Sequence, residues 1–249
     1  IFGSALAPYD PNEMDFSARF APPSLAHPMG ADDFGRDILS RIMVGARVSL
    51  VVGIIAVGIA AVAGTLLGLI AGYSTRFTDE VIMRSMDVLF AFPAILLAIA
   101  ILAALGKGIS NAMIAIGIVY TPIFARIVRG SVLSVRGNEY VDAAAAIGAG
   151  RNRILFRHIF PNSLSPLIVE VSLSLAFAIL AEAALSFFGL GVQPPEPSWG
   201  RMLSEGRAYF RQSIWMGIWP GLAIMITVMG FNFLGDGLRD VLDPRLKNS

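Results

Sequence analysis

Four stretches of this chain carry no charged side chain: Val48–Thr75, Val88–Gly106, Gly108–Ala125 and Gln212–Gly235, of 28, 19, 18 and 24 residues. A fifth, about Leu164–Leu190, is apolar apart from Glu170 and Glu182. A helix needs about 18 to 20 apolar residues to cross a hydrocarbon core roughly 30 Å thick. Backbone N–H and C=O groups cannot go unpaired in lipid, so helices are the natural solution for runs of this length. The pattern predicts five whole transmembrane helices, at about 47–73, 87–106, 111–129, 164–190 and 213–235. Only Lys107–Ser110 separates the second from the third, which predicts a tight hairpin.

The polar intervals set the organisation. Residues 8–46 carry Pro8, Pro11, Pro22, Pro23 and Pro28, which is loop chemistry. A short amphipathic stretch follows near Asp37–Arg47. Residues 1–7 form a short apolar stub, too short for a signal peptide and without a basic start. They read as the end of a further, missing first transmembrane helix. The expected layout is that helix end at 1–7 and an external segment at 8–46. A transmembrane domain over 47–235 follows, including loops 130–163 and 191–212, and then a tail over 236–249.

Composition fits a lipid solvent. Charged residues make up 15% of the chain and mean hydropathy is +0.69, against about 25% charged in soluble domains. A net charge of +1 gives no reason to expect a nucleic-acid partner, and the absence of cysteine removes disulfides and thiolate metal sites. His27 and His158 fall on opposite sides of the predicted membrane, so no metal site is expected. Lysine and arginine placement sets orientation. The side holding 130–163, 74–86 and the C-terminus carries eleven basic residues against eight opposite, and is read as cytoplasmic.

The segment from Glu139 to Pro161 is the most informative. Asn138 is an N-cap candidate, and Glu139 and Asp142 fall near the first turn, where acids favour the positive helix end. Ala143–Ala146 is a run of the best helix former. Gly148 and Gly150 can end the helix in a left-handed conformation. A second helical stretch, about Arg151–Phe160, is limited by Pro161. The expected product is two short helices meeting at a glycine corner, with small alanines that let a partner approach closely.

This segment resembles the cytoplasmic loop of importer permeases of the ATP-binding-cassette (ABC) class. Their pattern is Glu-Ala-Ala, three residues, Gly, nine residues, Ile, one residue, Leu-Pro. Here Asp142-Ala143-Ala144 is followed in register by Gly148, then His158, Phe160 and Pro161. Asp142, His158 and Phe160 depart from the pattern. Other segments narrow the resemblance. His27-Pro28-Met29-Gly30-Ala31-Asp32 with Gly35-Arg36-Asp37, Pro195–Gly200, and the run from Asn232 to Arg245 are similar to the C-type permease subunit of dipeptide, oligopeptide and nickel importers.

The resemblance implies an all-α, polytopic type I ABC importer permease fold with six helices, in a bacterial or archaeal cytoplasmic membrane. It also implies a second homologous permease subunit, two cytoplasmic ABC ATPases that bind ATP and Mg, and an extracytoplasmic substrate-binding protein. It assigns ATPase coupling to the 139–161 loop: Glu139, Asp142, Ala143, Ala144, Gly148, His158, Phe160 and Pro161.

Other features keep two readings each. Gly64, Gly68 and Gly72 form overlapping Gly-x-x-x-Gly motifs that suit either a second permease subunit or packing within this chain. Glu182, inside a span, is a candidate for a pathway or an interhelix contact; Glu170, nearer the cytoplasmic end, could pair with a basic loop residue. Pro93, Pro122 and Pro220 are read as static kinks rather than hinges. Asp32, Asp33 and Asp37 lack calcium-loop spacing and read as turn and cap residues. Gly106-Lys107-Gly108 is not a phosphate loop, so ATP hydrolysis and resident cofactors are not expected in this chain. An ion-coupled secondary transporter would call for broken helices in repeated halves, and no clear repeat is found. A membrane-embedded enzyme would need a convergent catalytic constellation, which the chain lacks.

Overall fold

The computed structural model describes residues 3–242. Ile1, Phe2 and residues 243–249, with the Asp243-Pro244-Arg245 part of the expected tail, lie outside the described residues. The regular structure among the described residues is helical, with one isolated bridge between Ala31 and Asp37 and no strand. The helices in chain order are α1 (Gly3–Leu6), α2 (Ile38–Tyr73), α3 (Arg76–Phe90), α4 (Ala94–Leu105), α5 (Ile109–Arg136), α6 (Glu139–Ala146), α7 (Arg151–Ile154), α8 (Phe160–Phe187), α9 (Trp199–Ala208) and α10 (Trp215–Leu242).

α2 starts well before the predicted residue 47. Asp37 precedes it, and its Oδ2 accepts from the Ser40 backbone N–H at 2.8 Å and from Ser40 Oγ at 2.7 Å, which fixes the first turn. The amphipathic stretch near 37–47 is therefore part of α2. Its 36 residues span about 54 Å, well beyond a hydrocarbon core.

Among the described residues, four helical runs are unbroken and long enough to cross a membrane: Ile38–Tyr73, Ile109–Arg136, Arg151–Phe187 and Trp215–Val241. The predicted second span, 87–106, is instead two helices. α3 and α4 meet at 94° across residues 91–93. Pro93 lacks an N–H and pushes Phe92 out of helical conformation, so the static kink expected there is a full break. α4 has 12 residues, about 18 Å, too short to span alone. α3 is amphipathic and tied to α5 by two ion pairs, Arg129–Asp79 (Nη2–Oδ2 2.6 Å) and Arg126–Asp87 (2.7 Å). Pro122 and Pro220 stay inside continuous helices, as does Pro166 in α8.

The chain divides into two compact units. The first comprises residues up to 56 with 98–116 and 175–230; the second comprises 57–97, 117–174 and the residues from 231. In the first, Ile38, Met202 and Met216 form a core with Phe20, Met29, Ile42, Trp215 and Trp219 against it. In the second, Leu69, Val128, Val132, Val141, Ile154 and Ile159 form the core. Loop 191–212 is not only a connection. It contains α9, whose N-cap Ser198 accepts from Arg201 N–H and whose Trp199, Met202 and Gly206 are buried. Gly106 and Gly108 adopt positive φ (92° and 130°) in the α4–α5 turn, where Asn111 Nδ2 donates to the carbonyls of Leu105 and Gly106.

Candidate coupling site

The 139–161 segment has the glycine corner expected of it. α6 begins after Asn138, which sits at the N-cap in extended conformation but makes no side-chain cap bond; its carbonyl accepts from Val141 N–H instead. Gly148 has φ of 87°. Around it, Ala149 N–H donates to Ala144 O (3.0 Å) and Gly148 N–H to Ala145 O (3.0 Å), a complete Schellman cap. Gly150 is not left-handed: it has φ −65° and ψ 156° and serves as the N-cap of α7.

The second helical stretch does not stop at Pro161. α7 passes through a π-helical turn, Leu155–Ile159, directly into α8. The reason lies in the proline. Pro161 has no N–H for the carbonyl four residues back, and its ring crowds that carbonyl. The π turn widens the helix there, with Phe160 N–H reaching Leu155 O, while Asn162 Nδ2 and Ser163 Oγ donate to the carbonyls of His158 and Ile159. The corner is therefore joined to α8 by continuous helix.

Burial sorts the predicted coupling residues. Val141 faces inward onto Val128 and Val132 of α5 and onto Ile154 and Ile159, and Ala144, three residues further along α6, is buried on the same face. Ala144 is thus a packing residue, not an open face for a partner. Glu139, Asp142, Ala143, Ala145, Ala146 and Gly148 are exposed. His158 is half-buried with its ring 6.4 Å from that of Tyr140, and Phe160 packs against the core. These two support the corner from behind. Pro161 is exposed beside the π turn.

Sequence reasoning missed the most exposed apolar residue of the corner. Ile147, the C-cap of α6, is 87% exposed, and Phe156 on the π turn is 61% exposed. No local signal marked it: Ile147 stands three residues after Ala144, a spacing that by itself would put it on the buried face. Covering such a side chain is worth about 1.5–3 kcal/mol.

The corner is fastened to α2 as well. Arg151 Nη2 donates to Tyr73 O at 2.9 Å, a cation on the last turn of α2, and the Arg151 and Arg136 guanidinium groups lie 5.3 and 5.8 Å from the Tyr73 ring centroid.

The glycine stripe packs within this chain. A Cβ on Gly68 would lie 2.6 Å from Ala125 O and 2.8 Å from Val128 Cβ, and one on Gly72 would lie 2.8 Å from Val132 Cβ. One on Gly64 would meet Phe124 and Thr121. Glu182 makes an interhelix contact. It is buried, with Oε2 accepting from Ser49 Oγ of α2 at 3.0 Å and Oε1 from Ser186 Oγ at 2.7 Å. Glu170 forms no ion pair among the described residues; Ser174 Oγ donates to it at 2.8 Å. Asp32 accepts from the N–H groups of Phe34 and Arg36 and from Arg36 Nε, so the acidic cluster serves a turn and an ion network. The described residues contain no group of three or more metal-ligating side chains.

The helix arrangement is that of ABC-transporter membrane subunits. It matches a chain of the inward-facing MetNI methionine ABC transporter with TM-score 0.68 at 16% identity, covering 82% of this chain and 96% of that one. It matches an amino acid ABC transporter with TM-score 0.63 at 15% identity, covering 80% and 92%. Residues 64–248 match the family described as "Binding-protein-dependent transport system inner membrane component". Sequence relatives extend this along the chain. The dipeptide transport system permease protein of Alkalihalophilus pseudofirmus is 52% identical over 248 residues, which is 100% of this chain and 82% of the relative. The glutathione transport system permease protein of Escherichia coli is 50% identical over 99% and 82%. The di/tripeptide permease of Pseudomonas aeruginosa is 46% identical over 100% and 84%. The chain therefore belongs to the binding-protein-dependent transport system inner membrane component family and is a multi-pass membrane permease of the ABC importer class. Membership sets aside the ion-coupled transporter and membrane-enzyme alternatives.

Proposed function

We propose that this permease forms half of a translocation pathway for short peptides or a closely similar small solute, and that its α6 corner receives a cytoplasmic ATPase. The relatives named for dipeptides, di/tripeptides and glutathione support the substrate class. The exposure of Ile147 on a corner whose other face is packed against α5 carries the docking reading. In this reading the 130–163 side is cytoplasmic, and two ATPases that bind ATP and Mg close on the corners of this chain and of a second homologous permease. An external binding protein delivers substrate to the opposite side. ATP favours one permease conformation through its differential affinity, and the corner passes that bias through the π turn into α8 and through Arg151 to α2. The faces left bare suit lipid and a second permease subunit: only 11% of the most apolar window of α10 is buried within this chain.

Gly148 gives the test. A Cβ there meets nothing within 4 Å, so a side chain fits within this chain, yet φ of 87° disfavours it. Gly148→Arg is expected to insert normally and to lose both ATP-driven uptake and stimulation of hydrolysis by the binding protein. Gly148→Asn, which tolerates a left-handed backbone, is expected to keep most of both. Normal uptake by the arginine variant, or transport by this chain alone without ATP, would refute the proposal.

A further inference from the structure

A cavity of about 370 Å³ opens beside the early turns of α2. Val48 and Val51 of α2 and Ile109 at the start of α5 give it an apolar wall, with Asn12 at its edge. Two charged side chains interrupt that wall, Arg47 and Glu196. Both are exposed, and neither forms a hydrogen bond or ion pair with the other or with any other described residue. Three less exposed arginines of the same unit differ. Arg36, Arg41 and Arg201 are all tied to carboxylates of Asp32, Asp33 or Glu205. A cation and an anion kept apart on an apolar wall are each left for something else to neutralise.

From this arrangement we infer that the cavity is a cradle for a zwitterionic solute the size of a dipeptide. Its carboxylate binds Arg47, its ammonium group binds Glu196, and its side chains lie on Val48, Val51 and Ile109. The volume is that of a small-molecule site. A guanidinium fork matches a carboxylate with two parallel hydrogen bonds, and a carboxylate accepts from an ammonium group through a charge-assisted bond. The inference rests on the peptide reading above. It adds that the permease itself reads the two ends of its cargo by charge.

The chain has no cysteine, so Asn12→Cys gives it a single thiol at the cavity edge. In the assembled complex in lipid nanodiscs, the thiol-labelling rate is measured with alanyl-alanine and with the same peptide N-acetylated and C-amidated. Alanyl-alanine is expected to slow labelling and the doubly capped peptide is not. Arg47→Ala should raise the protecting concentration about tenfold, the loss of one charge-assisted contact, and Glu196→Gln should act in the same direction. Exchanging the charges, Arg47→Glu with Glu196→Arg, should restore protection. Equal protection by the capped peptide, or protection unchanged in Arg47→Ala, overturns the cradle. ATP-driven uptake of alanyl-alanine by the unaltered complex is recorded in parallel. No uptake overturns the peptide reading, whereas uptake without charge-dependent protection overturns the cradle alone.

Discussion

Adding one methyl group at Gly68 should destabilise this protein, while adding one at Gly58 should stabilise it. Both glycines lie in the interior of α2, where alanine is favoured over glycine by roughly 1 kcal/mol. At Gly58 nothing lies within 4 Å of the added carbon, so that preference should appear alone. At Gly68 the new Cβ would stand 2.6 Å from Ala125 O, 2.8 Å from Val128 Cβ and 3.1 Å from Arg129 N. Ordinary contact begins near 3.4 Å, so α2 and α5 must separate by somewhat under an ångström, and two of the three obstacles are backbone atoms. Overpacking of this kind costs about 1–3 kcal/mol, which exceeds the propensity gain. The separation would be felt along the stripe, because Gly64 and Gly72 meet α5 in the same way. Reversible unfolding of the purified chain in mixed micelles measures the difference. Gly68→Ala that stabilises as much as Gly58→Ala would show that α2 and α5 are not in close contact in the membrane and would return the stripe to a subunit interface.

The remaining predictions concern the two ends of the mechanism. Glu182→Ala should cost about 1–3 kcal/mol by leaving the hydroxyls of Ser49 and Ser186 without their acceptor, and Glu182→Gln should recover much of that in the same unfolding assay. Arg151→Ala removes the donor to Tyr73 O and should weaken binding-protein stimulation of ATP hydrolysis while leaving complex assembly intact. Burial pushes the Asp33 carboxyl above its ordinary value of 3.8; the Asp32 charge adds to this and Arg36 opposes it. The native state then holds that proton more tightly than the unfolded one. The contribution is therefore full below 3.8 and is lost as pH rises through the native value. Hydrogen exchange of segment 30–41 should quicken over that rise, and Asp33→Asn should flatten the change.

The apolar runs placed the spans because charge-free length is a constraint that lipid imposes directly. They misplaced elements where another force decides. α2 begins nine residues before the predicted 47 because Asp37 supplies a cap that the charge count cannot see. The 87–106 span divides because Pro93 is unsupported at a bend, whereas Pro122, Pro166 and Pro220 are carried inside continuous helices. α9 was hidden in a polar interval, although Trp199, Met202 and Gly206 recur at helical spacing on its buried face. The 139–161 motif gave the corner and its glycine, but not which motif residues face out. Ala144 is buried, His158 is half-buried near the Tyr140 ring, Phe160 packs against the core, and Ile147, between the motif positions, holds the exposed position. That division depends on how α6 lies on α5, which no local pattern records.

The central claim, that an ATPase seats on the α6 corner, is tested most directly by crosslinking. Single cysteines at Ala146 and Ile147 in this cysteine-free chain are joined by a short bifunctional reagent in the assembled complex, with Asn12→Cys as reference. The account predicts crosslinks to the ATPase subunits from 146 and 147, altered in yield by ATP, and none from 12. Crosslinks from 12 with none from 146 or 147 would contradict it.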